Sequence, residues 1–161
     1  MKKLYLAVLF AVCAAACGLP SLTQVVTLSN IQLPNSADTK TTWNSGDYAE
    51  KPILMVFMGS WCPYCKMTMP AVNQLQNEYA DRVEIVTVFV DQDPAAVQKA
   101  VKETKSQSKA LYQGNELAES LGVQGLPHSS LFNKKHQLVT EWEGFDPNFA
   151  DKVRNQLNSI L

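Results

Sequence analysis

The sequence predicts an α/β domain, a mixed central β-sheet with helices on both faces. Three observations predict it. Two apolar runs, Ile53 to Met58 and Val83 to Val90, lack polar alternation, as strands covered on both faces do. Each is followed by apolar residues at helical spacing, and strand–helix–strand units pair their strands in parallel through right-handed crossovers. Two later β-leaning runs, His128 to Phe132 and Leu138 to Trp142, flank the polar turn Asn133-Lys134-Lys135-His136, which adds an antiparallel hairpin before a last helix.

The chain has 161 residues, and the first seventeen read as a secretory signal outside the fold. Lys2 and Lys3 precede an apolar stretch, Leu4 to Ala16, that ends in small residues. At 13 residues it is shorter than the ~20 a bilayer-spanning helix needs. The exit Ala14-Ala15-Ala16-Cys17 fits small-residue cleavage and also resembles a bacterial lipoprotein box, with Ala14 where that box usually carries Leu. The expectation is a signal over 1–17, lipidation at Cys17 and an exported domain over 18–161, in the periplasm or cell envelope. The plainer reading is a signal peptide with a cysteine by chance. Without Lys2 and Lys3 the domain carries 12 basic and 15 acidic side chains, a net charge of about −3. It has no basic stripe, which argues against a nucleic-acid partner. Three cysteines remain once Cys13 leaves with the signal, too few for a disulfide scaffold, although export places them where disulfides persist.

Taken in order, Gly18 to Ser21 reads as a tether. Val25 to Leu28 and Ile31 to Leu33 read as short β-leaning pieces, followed by turn chemistry at Pro34-Asn35-Ser36. Thr41 to Glu50 has slight helical character. Lys51-Pro52 leads into the first buried strand. The helix from Cys62 to Tyr79 buries Cys65, Met69, Val72, Leu75 and Tyr79, and Pro70 kinks it by removing one backbone donor. The second strand ends at Asp91. Asp93-Pro94 reads as an N-cap with proline at the first helical position, and Val97, Ala100 and Val101 form the buried stripe. Lys102 to Lys109 reads as a frayed end and loop. Asn115 is the expected cap of a short helix through Leu117 and Leu121, stopped by Gly122. After the hairpin, Asp146-Pro147 is the expected cap of a helix burying Phe149, Val153, Leu157 and Ile160.

Between the first strand and first helix lies Ser60-Trp61-Cys62-Pro63-Tyr64-Cys65-Lys66. Two cysteines so spaced can form an inert ring, bind a metal as half a site, or act as a redox couple. The setting favours the couple, because Cys62 falls at a helix start where free N–H groups and the helix dipole favour a thiolate. Pro63 suits the first turn, where its missing N–H costs nothing. Zinc would need two more ligands, and His128, His136 and Cys17 lack zinc-finger spacing. His136 reads as solvated surface, and His128 reads either as a group tuning the thiolate or as a polar strand start. Met55, Met58, Met67 and Met69 read as core filler before copper ligands. Trp142 and Phe145 read as core.

Together these features resemble the thioredoxin-fold superfamily, and within it the exported, membrane-tethered TlpA/ResA-like thiol–disulfide oxidoreductases. The resemblance rests on Trp61-Cys62-Pro63-Tyr64-Cys65-Lys66 after a strand, Pro70 five residues beyond the second cysteine, Gly125-Leu126-Pro127 before the hairpin, and the element order. It implies a thioredoxin-like fold with Cys62 as exposed nucleophile, Cys65 as buried resolving thiol and Pro127 in the cis form. It further implies that the Leu126 backbone bonds a substrate segment, and that Trp61, Pro63, Tyr64 and His128 shape the site. No cofactor is implied beyond the Cys62–Cys65 disulfide. The implied partners are client proteins with disulfides or thiols and a membrane thiol–disulfide electron donor, and the chain is expected to be a monomer acting as a reductase. The other readings are an oxidase or isomerase, and a non-enzymatic binding or chaperone module with a structural disulfide. A thiol peroxidase fits less well, since the residues around Cys62 lack the Thr-x-x-Cys pattern. Two departures stand out. Val56 replaces the buried Asp of many thioredoxins, and Thr68 replaces the Glu of many TlpA/ResA-like proteins, so no proton acceptor for Cys65 is evident.

Overall fold

The computed structural model describes residues 25–161. The signal, Cys17 and the Gly18–Ser21 tether lie outside the described residues. A small antiparallel ribbon comes first, β1 (Gln32–Pro34) with β2 (Thr42–Asn44), and then a 3-10 turn, Ser45–Tyr48. The main sheet and its helices follow as β3 (Ile53–Met58), α1 (Pro63–Tyr79), β4 (Glu84–Phe89), α2 (Pro94–Thr104), β5 (Lys109–Leu111), α3 (Asn115–Ser120), β6 (His128–Phe132), β7 (Leu138–Glu143) and α4 (Phe149–Ile160).

The five strands lie in the order β5-β4-β3-β6-β7. β3 is central, parallel to β4 and antiparallel to β6, and the hairpin β6–β7 completes the mixed sheet. Every residue of β3 and β4 is buried, which is why neither run alternates. Leu54, Val56 and Met58 face a cluster built with α1, α2 and α4. Ile53, Met55 and Phe57 face the opposite layer, made of α3 and the β1–β2 ribbon. Helices therefore cover both faces, as predicted.

Several elements differ from the sequence expectation. Within Lys102 to Lys109, α2 continues to Thr104 and ends at Lys105 in the left-handed conformation (φ 52°), and β5 begins at Lys109. Pro34-Asn35-Ser36 is not a turn. Asn35 bridges to Leu111 and the Ser36 N–H donates to the Ala110 carbonyl (2.9 Å), so this stretch covers the outer edge of β5. Val25 to Leu28 contributes one bridge, Thr27 to Gln137, rather than a strand. The cap of α3 is Gly114, not Asn115, whose side chain instead accepts from Gln92 (2.6 Å). A Cβ at Gly114 would lie 2.3 Å from Val88 Cγ1, so close packing on β4 requires glycine there. Asn148 occupies the cap of α4, while the Asp146 carboxylate accepts the Asn148 N–H one turn earlier (2.8 Å). Asp93 does cap α2, accepting the Ala95 N–H (2.9 Å).

Candidate active site

The site is assembled at the carboxyl ends of β3 and β4. The Val90 N–H donates to the Met58 carbonyl (2.9 Å), which holds the two strand ends level. Asp91 follows, and its carboxylate accepts both the Ser60 N–H (2.9 Å) and the Ser60 hydroxyl (2.5 Å). The loop between β3 and α1 is thus clamped two residues before Cys62. The Gly59 carbonyl accepts the Cys62 N–H (3.0 Å), and a Cβ at Gly59 would lie 2.8 Å from the Trp61 indole, so glycine lets the ring lie against the loop.

Cys62 takes an extended backbone at the N-cap of α1, and Pro63 is the first helical residue. The Cys62 sulfur accepts the Cys65 N–H (3.2 Å), an otherwise unpaired donor of the first turn. The same sulfur lies 3.8 Å from the Leu126 carbonyl, and the Leu126–Pro127 peptide is cis. The Gly144 N–H donates to the Pro127 carbonyl (2.8 Å) and fixes this second loop. Cys62 and Cys65 are free thiols, and both are buried, so Cys62 is not the exposed sulfur that the resemblance implies; its surface neighbours Trp61 and Tyr64 are exposed instead. Burial pushes the Cys65 thiol far above the ordinary thiol range, and its hydrogen bond with Cys62 pushes it further. Val56 and Met69 share its apolar cluster. Among the described residues no carboxylate contributes to that rise, and Thr68 spends its hydroxyl on the Tyr64 carbonyl (3.0 Å).

Trp61 (69% exposed) and Tyr64 (58%) stand out from the surface beside the buried thiols. Tyr64 stacks on Phe145, with centroids 6.5 Å apart. Phe145 is therefore not core but part of the exposed rim, and Met67 is exposed as well. Trp142 is half-buried and packs edge-on against Phe149. Trp61, Pro63, Tyr64, Leu126 and Pro127 are brought around the two cysteines. The His128 ring is not. Register pairs it with Phe57, which points to the α3 face, and its Nε2 lies 3.1 Å from Glu141. Strand alternation puts the side chain after Pro127 on the far side of the sheet. His136 is not free surface either, since its Nε2 lies 3.2 Å from the Tyr48 carbonyl. Among the described residues no three His, Cys, Asp or Glu side chains gather as a metal site.

The sequence reading missed Asp91 and Ser60. The available signal was an acid at the carboxyl end of a parallel strand, where sites of open α/β sheets lie.

The redoxin family matches residues 19–157. Thiol-disulfide oxidoreductase ResA of Bacillus thuringiensis subsp. konkukian is 32% identical over 117 residues, 71% of this chain and 64% of that relative, so the chain spans just under two thirds of its length. Thioredoxin-like protein slr1139 of Synechocystis is 34% identical over 112 residues, 68% of this chain and 83% of the relative. The thioredoxin domain of a thiol-disulfide oxidoreductase from Bacteroides vulgatus shares the fold with a TM-score of 0.73 at 20% identity, covering 86% of this chain and 100% of that domain.

Proposed function

The chain belongs to the redoxin family and has a thioredoxin-like fold, and from that premise we propose that it is an exported thiol:disulfide oxidoreductase reducing disulfides of client proteins. One observation carries the reading. The Cys62 sulfur sits at a helix start, bonded by the Cys65 N–H and facing the carbonyl that precedes a cis-proline. That arrangement offers a sulfur with a donor for developing negative charge and a backbone edge against which a client segment can lie.

In the proposed reaction the Cys62 thiolate attacks one sulfur of a client disulfide. A Cys62–client bond forms, the client's S–S bond breaks, and the departing client thiolate takes a proton. Cys65 then gives up its proton as its sulfur attacks Cys62, forming the Cys62–Cys65 disulfide and releasing the second client thiol. The client gains two electrons and two protons. A membrane thiol–disulfide donor restores the dithiol, and no other cofactor takes part. The basic-then-apolar start and the Ala16-Cys17 exit support export and lipid attachment at Cys17.

Direction is tested by equilibrating the Cys62–Cys65 pair with a thiol buffer. A potential near the thioredoxin end of the scale, about −270 mV, is expected, whereas one near −120 mV would identify an oxidase.

A further inference from the structure

The rim around Cys62 continues into a groove between α1 and α4. The groove has a volume of about 360 Å³, and Met67, Pro70, Ala71, Phe145, Pro147 and Ala150 line it. Its depth comes from size, because the facing positions Ala71 and Ala150 are small where two helices would usually meet through large side chains. Its upper end opens at the Tyr64–Phe145 stack. Further along the same two helices, Arg154 of α4 holds Glu78 of α1 through two bonds of 3.0 Å, which keeps the helices together beyond the groove. Met67 (53% exposed) and Phe145 (37%) are two of the few large apolar side chains left in water among the described residues. Exposed apolar surface that adjoins a reacting centre, here through the Tyr64–Phe145 stack, marks recognition.

Resting on the exchange reading above, we propose that this groove selects clients by receiving an apolar side chain near the reacting cysteine of the client. Continuity with the thiol site names the occupant. Met67 and Ala71 lie five and nine residues beyond Cys62, about 7.5 and 13.5 Å along the helix. An extended client advances about 3.3 Å per residue. The groove is therefore reached by a side chain about two to four residues from the client cysteine. An acidic side chain there is disfavoured, because a carboxylate seated against Met67, Pro70 and Ala71 would lose water, and the one charged lining residue, Asp146, is itself an acid already paired with Lys152.

The test uses two disulfide-linked peptides that differ only in carrying Leu or Asp about three residues from the cysteine, with hydroxyethyl disulfide as a substrate too small to reach the groove. With a small dithiol reductant restoring the Cys62–Cys65 thiols after each turnover, the purified chain is expected to show a KM about tenfold lower for the Leu peptide at similar kcat. Met67→Glu removes that preference, Met67→Leu keeps it, and hydroxyethyl disulfide is turned over equally by all three proteins. Ala71→Glu repeats the result from the groove floor. Equal KM values for the two peptides would overturn the proposal. So would a dimer in sedimentation that Met67→Glu dissociates, because the occupant would then be a second copy of the chain. If the unsubstituted protein leaves hydroxyethyl disulfide untouched, the exchange reading itself has failed.

Discussion

Cys65 holds its proton because the structure surrounds it with apolar atoms and one other thiol. Its raised proton affinity has a sign that can be followed. Below the ordinary thiol range the group is protonated both folded and unfolded, and no stability is lost. At higher pH the unfolded chain ionises first, so the folded state loses stability as pH rises toward the elevated folded value. For the reaction, little Cys65 thiolate exists near neutrality. In a preformed Cys62 mixed disulfide the contribution of the Cys62 thiol is gone but burial still disfavours the Cys65 thiolate, so release of client should quicken as pH rises from neutral into the alkaline range. Stopped-flow measurement of the released thiol checks this, and a plateau near neutrality would point to a hidden base. Asp91 gives a second prediction. Asp91→Ala leaves the Ser60 N–H and hydroxyl without their acceptor, so it should cost about 1–3 kcal/mol in urea unfolding and slow reaction at Cys62. Ser60→Ala should do less, since the backbone bond remains. The placement of Cys62 at a helix start was legible from the spacing of the motif, and the cis form of Pro127 was expected from the family resemblance. The Asp91–Ser60 clamp was not, because its partners lie 31 positions apart and only the pairing of β3 with β4 brings them together.

At the scale of elements, buried strands and amphipathic helices were legible because burial on both faces, or on one stripe, leaves a mark in the sequence itself. β5 left none. It is three residues long, and Lys109 is spent on an ion pair with Glu84 (2.7 Å) rather than on any alternating pattern. The same carboxylate accepts the Trp43 indole N–H (3.0 Å), so one buried acid ties the β1–β2 ribbon and β5 to the start of β4. Glu84→Gln should lower stability by about 1–2 kcal/mol, at the modest end for a broken pair because Lys109 remains half in water. The urea midpoint measures it, and an unchanged midpoint would remove Glu84 from the account. Phe145 reads as core in the sequence, where its aromatic ring is the only signal. Here Gly144, at φ 78°, turns the chain, and Phe145 meets the exposed Tyr64 instead.

At the scale of the molecule, the fold places one helix start, one clamped loop and one cis-proline loop at the same end of a sheet whose three inner strands, β4, β3 and β6, are buried throughout. That base fixes the Cys62 sulfur, while the apolar rim and groove beside it remain open to solvent. The missing acids at Val56 and Thr68 are an absence in the folded protein as well as in the sequence, since Val56 sits in the apolar cluster with Cys65 and Thr68 bonds within its own helix. In the proposed exchange Cys62 attacks and Cys65 resolves. Intact-mass measurement on single-cysteine variants tests it most directly. Cys65→Ser, given a disulfide substrate, should accumulate one client adduct on Cys62, and Cys62→Ser should accumulate none. An adduct forming as readily on Cys65 in the Cys62→Ser protein would contradict the account.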